Sequence, residues 1–159
     1  MDLEDFRSNL RAAASPGEHA LWLVTFEENK HCILRKTPKG ADILALLKTW
    51  IRSDAPGGYP RGHHFKVRVT AIAAGEFNAT FVRNHILTVL TRTNTLLRPN
   101  DPDTYPGSWP NESVYFIIQM GFDGSVSDLK LSPALNQAIH SPHELNFLFK
   151  HLRQENFRR

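Results

Sequence analysis

The sequence predicts an α+β fold: a mostly antiparallel sheet of about five strands covered by helices, in the order α-β-β-α-β-α-β-β-α-α. Three observations predict it. Residues 64–73 (H-F-K-V-R-V-T-A-I-A) alternate strictly, with Phe65, Val67, Val69 and Ala71 on one side and Lys66, Arg68 and Thr70 on the other, the pattern of a strand with one wet face. Residues 113–131 (S-V-Y-F-I-I-Q-M-G-F-D-G-S-V-S-D-L-K-L) read as a hairpin around Asp123-Gly124, a pair that accepts the positive φ of a two-residue turn. Between and around these, apolar residues recur at helical spacing behind capping signals.

Residues 2–14 form the first expected helix, with Leu3, Phe6, Leu10 and Ala13 on one stripe, acids at its start and Arg7 and Arg11 further on, the order that the helix dipole favours. Ser15-Pro16-Gly17 ends it. Residues 19–26 (H-A-L-W-L-V-T-F) and 31–36 (H-C-I-L-R-K) pair across Glu27-Glu28-Asn29-Lys30. Thr37-Pro38 then supplies an N-cap and a Pro at N1 for a helix to about residue 52, whose broad apolar face holds Ile43, Leu44, Leu47, Trp50 and Ile51. Residues 53–63, with two Pro and three Gly, are a loop.

After the 64–73 strand, residues 78–97 return to helical spacing through Val82, Ile86, Val89, Thr93 and Leu97, against a load of threonines that lose χ1 freedom in a helix. Residues 98–110 hold four prolines and form a stiffened loop of a length that is uncommon inside a compact domain. In the hairpin that follows, residues 114–122 are an apolar run suited to a central strand buried on both faces. The return arm slips its alternation between Val126 and Leu129, which calls for a bulge or a late start there. Ser132-Pro133 opens a short helix. Ser141-Pro142-His143-Glu144 is a capping box for a last helix with Leu145, Leu148, Phe149 and Leu152 as its core stripe. The basic tail, 154–159, frays.

At 159 residues the chain reads as one domain, 1–159, able to bury about two-thirds of its unfolded surface. The charge is +3 with eight histidines, which permits an anionic partner without requiring one. A single cysteine, Cys32, excludes an internal disulfide and a Cys-based zinc cluster, and its expected role is that of a small buried apolar residue. The start M-D-L-E-D-F is acidic rather than basic and apolar, and no run reaches the ~18 apolar residues that span a bilayer. The sequence is therefore read as intracellular and cytoplasmic.

The candidate chemistry lies in a basic strip: Lys66 and Arg68 on one face of their strand, Arg35 on a strand expected to neighbour it, and Arg61, His63 and His64 on the loop feeding in. Such strips hold phosphates or anionic headgroups by releasing counterions. The plain structural alternative is that a wet strand face carries Lys, Arg and Thr for solubility alone. Tyr105 and Trp109 are the expected aromatic contacts for self-association or docking.

No set of residues converges on catalysis. Asp128-Leu129-Lys130, with Glu112 or Asp123, resembles the PD-(D/E)xK nuclease pattern, but both of those acids lie at strand ends. His140, His143 and His151 show no metal-ligand spacing, so neither a metal nor a cofactor is expected. Two longer resemblances concern the order of elements over part of the chain. The order Tyr105-Pro106, Trp109-Pro110, strand, Asp123-Gly124, strand and helix resembles the TonB C-terminal domain, without its anchor or its further strand. The strand F-K-V-R-V-T leading to Phe77 and a helix resembles rhabdovirus matrix proteins, basic non-enzymatic assembly proteins, without their basic arm or P-P-x-Y motif. Each covers under half of the chain, and neither assigns a family. The resulting expectation is a non-enzymatic binding or assembly module that contacts nucleic acid or an anionic membrane and self-associates. A protein-binding adaptor or inhibitor and a metal-dependent nuclease are its alternatives.

Overall fold

The computed structural model describes residues 2–12, 19–29, 31–38, 40–75, 114–141 and 143–149. These contain α1 (Leu3–Ala12), β1 (His19–Phe26), β2 (His31–Pro38), α2 (Ile43–Asp54), β3 (Phe65–Gly75), β4 (Tyr115–Met120), β5 (Val126–Leu131), α3 (Pro133–Ala138) and α4 (143–149). The five strands form one antiparallel sheet in the order β2-β1-β3-β4-β5. The α+β class, and the element order over the described residues, are as the sequence predicts. The helix expected over 78–97, the loop 98–110 with Tyr105 and Trp109, Glu112, His151, the tail 154–159 and the side chain of Cys32 lie outside the described residues.

One phase of each strand packs under the helices. Trp22, Val24 and Phe26 of β1, Phe65, Val67 and Val69 of β3, and Phe116, Ile118 and Met120 of β4 are buried there with Phe6 of α1, Leu47 and Ile51 of α2, and Leu145 and Phe149 of α4. Burying such side chains supplies the main favourable term of the fold, about 1.5–3 kcal/mol for each large one. Edge-to-face ring pairs add specificity, Phe6 on Phe116 with centroids 5.1 Å apart and Trp22 on Phe149 at 6.1 Å, the geometry that the aromatic quadrupole prefers.

The structure corrects the expected position of the hairpin. β4 and β5 close one side of the sheet, and the middle strand is β3. β4 buries alternate residues only, leaving Tyr115, Ile117 and Gln119 half-exposed. The strand buried on both faces is β1, whose other phase places Leu21, Leu23 and Thr25 out of solvent. An unbroken apolar run therefore does not identify a central strand, because Tyr, Ile and Gln on one phase tolerate a partly wet face.

The turn is also one residue longer than expected. The Gly121 carbonyl accepts from the Gly124 N–H at 3.0 Å and the Gly121 N–H donates to the Ser125 carbonyl at 2.9 Å. Phe122, Asp123 and Gly124 are thus a three-residue loop, and Gly124 takes the left-handed position at φ 84°, as such loops require. The bulge expected in the return arm is present: Gln119 pairs with Asp128 and Met120 with Val126, leaving Ser127 as the extra residue.

A second correction concerns the start of α2. Thr37 and Pro38 end β2, and buried Thr37 accepts the Trp22 Nε1–H at 2.9 Å. The cap is Asp42, which accepts from the Ala45 N–H at 3.3 Å. Thr37 can serve either role, and satisfying a buried indole N–H outweighs a cap that a carboxylate five residues later provides better. The Ser132 and Ser141 caps hold, with Leu135 N–H on Ser132 Oγ at 3.2 Å and Glu144 N–H on Ser141 Oγ at 3.4 Å, but the Ser141 N–H donates to the Ala138 carbonyl at 3.2 Å, so the glutamate half of the expected capping box is not made.

Asp42 also accepts from the Arg7 guanidinium and so ties α1 to α2. Burial works to raise the Asp42 carboxyl, but the Arg7 hydrogen bond, the Ala45 N–H and the Arg7 charge outweigh it and hold the group below its ordinary value. Its contribution to stability is therefore present above the unfolded-state pKa and lost as pH falls through the depressed folded value. Asp42→Ala should cost about 1–2 kcal/mol by urea denaturation. Asp42→Asn, which keeps a capping oxygen, should cost less and should reduce the further effect of Arg7→Ala in a double-mutant cycle, leaving the part due to the Arg7–Glu4 pair.

Candidate functional site

On the face of the sheet away from the helices, the strand register fixes what lies beside what. Lys66, Gln119 and Asp128 form one row across β3, β4 and β5, and Arg68, Ile117 and Lys130 form the next. Tyr115 stands beside Thr70 in the row beyond. Lys66, Asp128 and Lys130 are exposed, Arg68, Tyr115, Ile117 and Gln119 are half-buried, and Thr70 is buried. Leu21, Leu23 and Thr25 of β1 are buried on this same side, which separates exposed Lys36 of β2, beside Leu21, from the open β3–β5 corner.

Arg68 is held from two directions. Its Nε lies 3.3 Å from Glu27 Oε1, and its guanidinium sits 4.5 Å from the centroid of the Tyr115 ring. Its side chain is 12% exposed. A cation on an aromatic face is worth about 0.5–2 kcal/mol, more when desolvated. Lys66 uses its backbone, whose N–H donates to Glu28 Oε1 at 2.9 Å, and its side chain forms no ion pair among the described residues. The same Glu28 oxygen lies 3.3 Å from His63 Nε2. His63 stacks on Tyr59 with centroids 4.3 Å apart and meets the edge of Phe65 at 4.6 Å.

His64 looks toward the hairpin. Its Nδ1 is 2.9 Å from Ser127 Oγ and its Nε2 is 3.1 Å from Ser125 Oγ. Ser125 Oγ in turn lies 2.6 Å from Asp123 Oδ1. The hydrogen bonds from the Ser125 hydroxyl and N–H, with the nearby charge of His64, hold the Asp123 carboxyl below its ordinary value.

Of the predicted strip, the structure brings Lys66 and Arg68 together and places His63 and His64 at its end, while Arg61 is exposed on the loop. Arg35 does not belong to it. β1 intervenes between β2 and β3, and Arg35 pairs with Trp22 in register, which puts it on the helix-covered face. There it is bonded to Asp54 and lies 5.6 Å from the Trp50 ring centroid. Sequence alternation assigned Lys66 and Arg68 correctly to one face. It could not say which neighbour β1 placed beside them.

Lys130 and Tyr115 are the additions that sequence reasoning missed for this face, and only strand register could have supplied them. The acidic turn Glu27-Glu28 was read as a connector, whereas it holds Arg68, His63 and the Lys66 backbone. Asp128 and Lys130 do share a face, but opposite Asp128 stands Gln119 where a nuclease pattern needs a second acid, and Asp123 is bonded to Ser125. Among the described residues no group of three His, Cys, Asp or Glu side chains could hold a metal ion, and no helix is long and apolar enough to cross a membrane.

Compared with protein-family models, curated proteins and solved structures, the chain has no match. Neither resemblance noted in the sequence gains support from these comparisons. Removing the acid that holds Arg68 tests its anchoring: Glu27→Ala leaves a mostly buried guanidinium short of a partner and should destabilise the fold by about 1–3 kcal/mol in chemical denaturation, whereas Lys66→Ala should change stability by less than about 0.5 kcal/mol.

Proposed function

We propose that the protein is a non-enzymatic binding module that holds a single-stranded nucleic acid on the open face of β3, β4 and β5. The observation that carries this reading is the cross-strand arrangement: cations on β3 (Lys66, Arg68) and on β5 (Lys130) flank Tyr115 and Ile117 on β4. Sheet faces of this kind bind unpaired strands by setting phosphates on Lys and Arg and bases on exposed ring or aliphatic surface. Glu27 and Asp128 offset part of the charge, which favours a few ordered contacts over diffuse attraction. An anionic membrane is the less suited partner, because the one aromatic side chain projecting far into solvent among the described residues, Phe147 at 71% exposure, is on α4 rather than on this face.

The test is fluorescence anisotropy with a labelled single-stranded oligonucleotide across a salt series, beside flotation with vesicles rich in phosphatidylserine. Oligonucleotide binding should weaken with salt, and Lys66→Gln with Lys130→Gln together should flatten the log–log slope by about 1.4, two phosphates at about 0.7 each. Tyr115→Leu should lower affinity about tenfold, within the range measured for one stacked base. Absence of oligonucleotide binding at low salt, or indifference to these changes, overturns the reading. Vesicle binding alone would transfer the face to a membrane partner.

A protein-binding adaptor is the second reading. It rests on Phe147 and an open groove of about 520 Å³ between α3 and α4, lined by Ala134, Ala138 and Leu148 beside His143 and Glu144.

A further inference from the structure

We propose that His64, which clasps the β4–β5 hairpin to the start of β3, is a proton-operated switch for the Ser127–Gln119 link inside that hairpin. The geometry leaves little freedom in where the protons go. An ionised Asp123 carboxylate can only accept, so the Ser125 hydroxyl, 2.6 Å from its Oδ1, donates to it. The remaining partner of Ser125 Oγ is His64 Nε2 at 3.1 Å, and that nitrogen must therefore carry a hydrogen. On the other side of the ring, Nδ1 faces Ser127 Oγ at 2.9 Å, and Ser127 Oγ faces Gln119 Oε1 at 3.3 Å. Ser127 has one proton to give.

With the ring protonated, both nitrogens donate, Ser125 passes its proton to Asp123, and Ser127 passes its proton to Gln119. Every contact is then satisfied. With the ring neutral, Nδ1 needs a donor and takes the Ser127 proton, and the Gln119 oxygen loses its partner. Deprotonation thus swings the Ser127 hydroxyl from β4 to His64 and opens the cross-strand link at the bulge, the one place where the β4–β5 ladder is already interrupted.

Of the other charged groups at this end, Arg52 and His63 are engaged elsewhere, while Lys66 and Asp128 flank Gln119 in its own cross-strand row. From α2, Arg52 Nε donates to the Phe122 carbonyl at 2.8 Å and Lys48 runs against Gly124. His63 is engaged with Glu28. Lys66 and Asp128 project from neighbouring positions on the open face. The acid side of the clasp fails last: Asp123, held low by Ser125, keeps its contribution until the pH falls through that depressed value. Histidine is the group that changes charge near neutrality.

Two measurements test this. In long-range nitrogen–proton spectra of the imidazoles, the neutral form of His64 should be the Nε2–H tautomer, and an Nδ1–H tautomer overturns the scheme. In hydrogen exchange, corrected for intrinsic rates, hairpin amides 121–130 should be about fivefold better protected at pH 5.5 than at pH 7.5, the worth of one hydrogen bond. His64→Gln and Ser127→Ala should each remove that difference, while His63→Gln should keep it. Equal pH dependence in the wild type and His64→Gln removes the switch.

Discussion

The rest of the structure depends on the register of β3 between β1 and β4. β3 alternates Phe65, Val67 and Val69 with Lys66 and Arg68, so its position decides at once what the core contains and what the open face shows. A slip of one residue would send two cations under the helices and three large apolar side chains into water, and no intermediate register relieves the conflict. The pairing is therefore strongly specified from both sides. Val67 is set beside Phe26 and Ile118, Val69 beside Val24 and Phe116, and each of these rows contributes to one continuous core.

The same register sorts the positive charges into distinct roles that composition cannot separate. Arg35 is a core-edge residue, locked by Asp54 and covering Trp50 with its apolar stem and planar head. Arg68 is half-spent, since Glu27 neutralises it while Tyr115 orients it. Lys66 and Lys130 are open. A net charge of +3 spread over the chain would be consistent with any of these assignments, and what makes one corner of the sheet a candidate surface is that two open cations and one oriented one share it with an aromatic ring.

Much of this was legible in the sequence, and the failures have physical causes. The alternation of residues 64–73, the caps at Ser132 and Ser141 and the bulge in the return arm are local signals, set by residues within a turn or two of one another, and all are present. Strand order is not local. Nothing in H-C-I-L-R-K or F-K-V-R-V-T says that β1 will take both as neighbours, and the misplacement of Arg35 follows directly from that. The Thr37-Pro38 reading failed for a related reason: a motif with the right spacing for a cap was needed by a tryptophan fifteen positions earlier. The hairpin's place at the side of the sheet was missed because β4 reads as wholly apolar, although half of its residues are only partly buried.

The end of the sheet where β3 begins shows why polar and aromatic residues are concentrated there. Three connections meet at that end: the β1–β2 turn, the loop between α2 and β3, and the β4–β5 loop. Phe65 is their common anchor, meeting Phe26 at 6.3 Å, Tyr59 at 5.3 Å and Phe122 at 5.2 Å, all edge-to-face. Rings fix the loops in position but leave their backbones and polar side chains at the surface, where they need partners. Glu28 serves two of the loops at once through His63 and the Lys66 N–H, and His64 links the third through Ser125 and Ser127. Because the two histidines are adjacent, the aromatic anchor and the polar fastening are coupled through a single stretch of backbone. His64 immediately precedes the strand that carries Lys66 and Arg68, so the polar fastening of the hairpin and the open face are built on one stretch of chain.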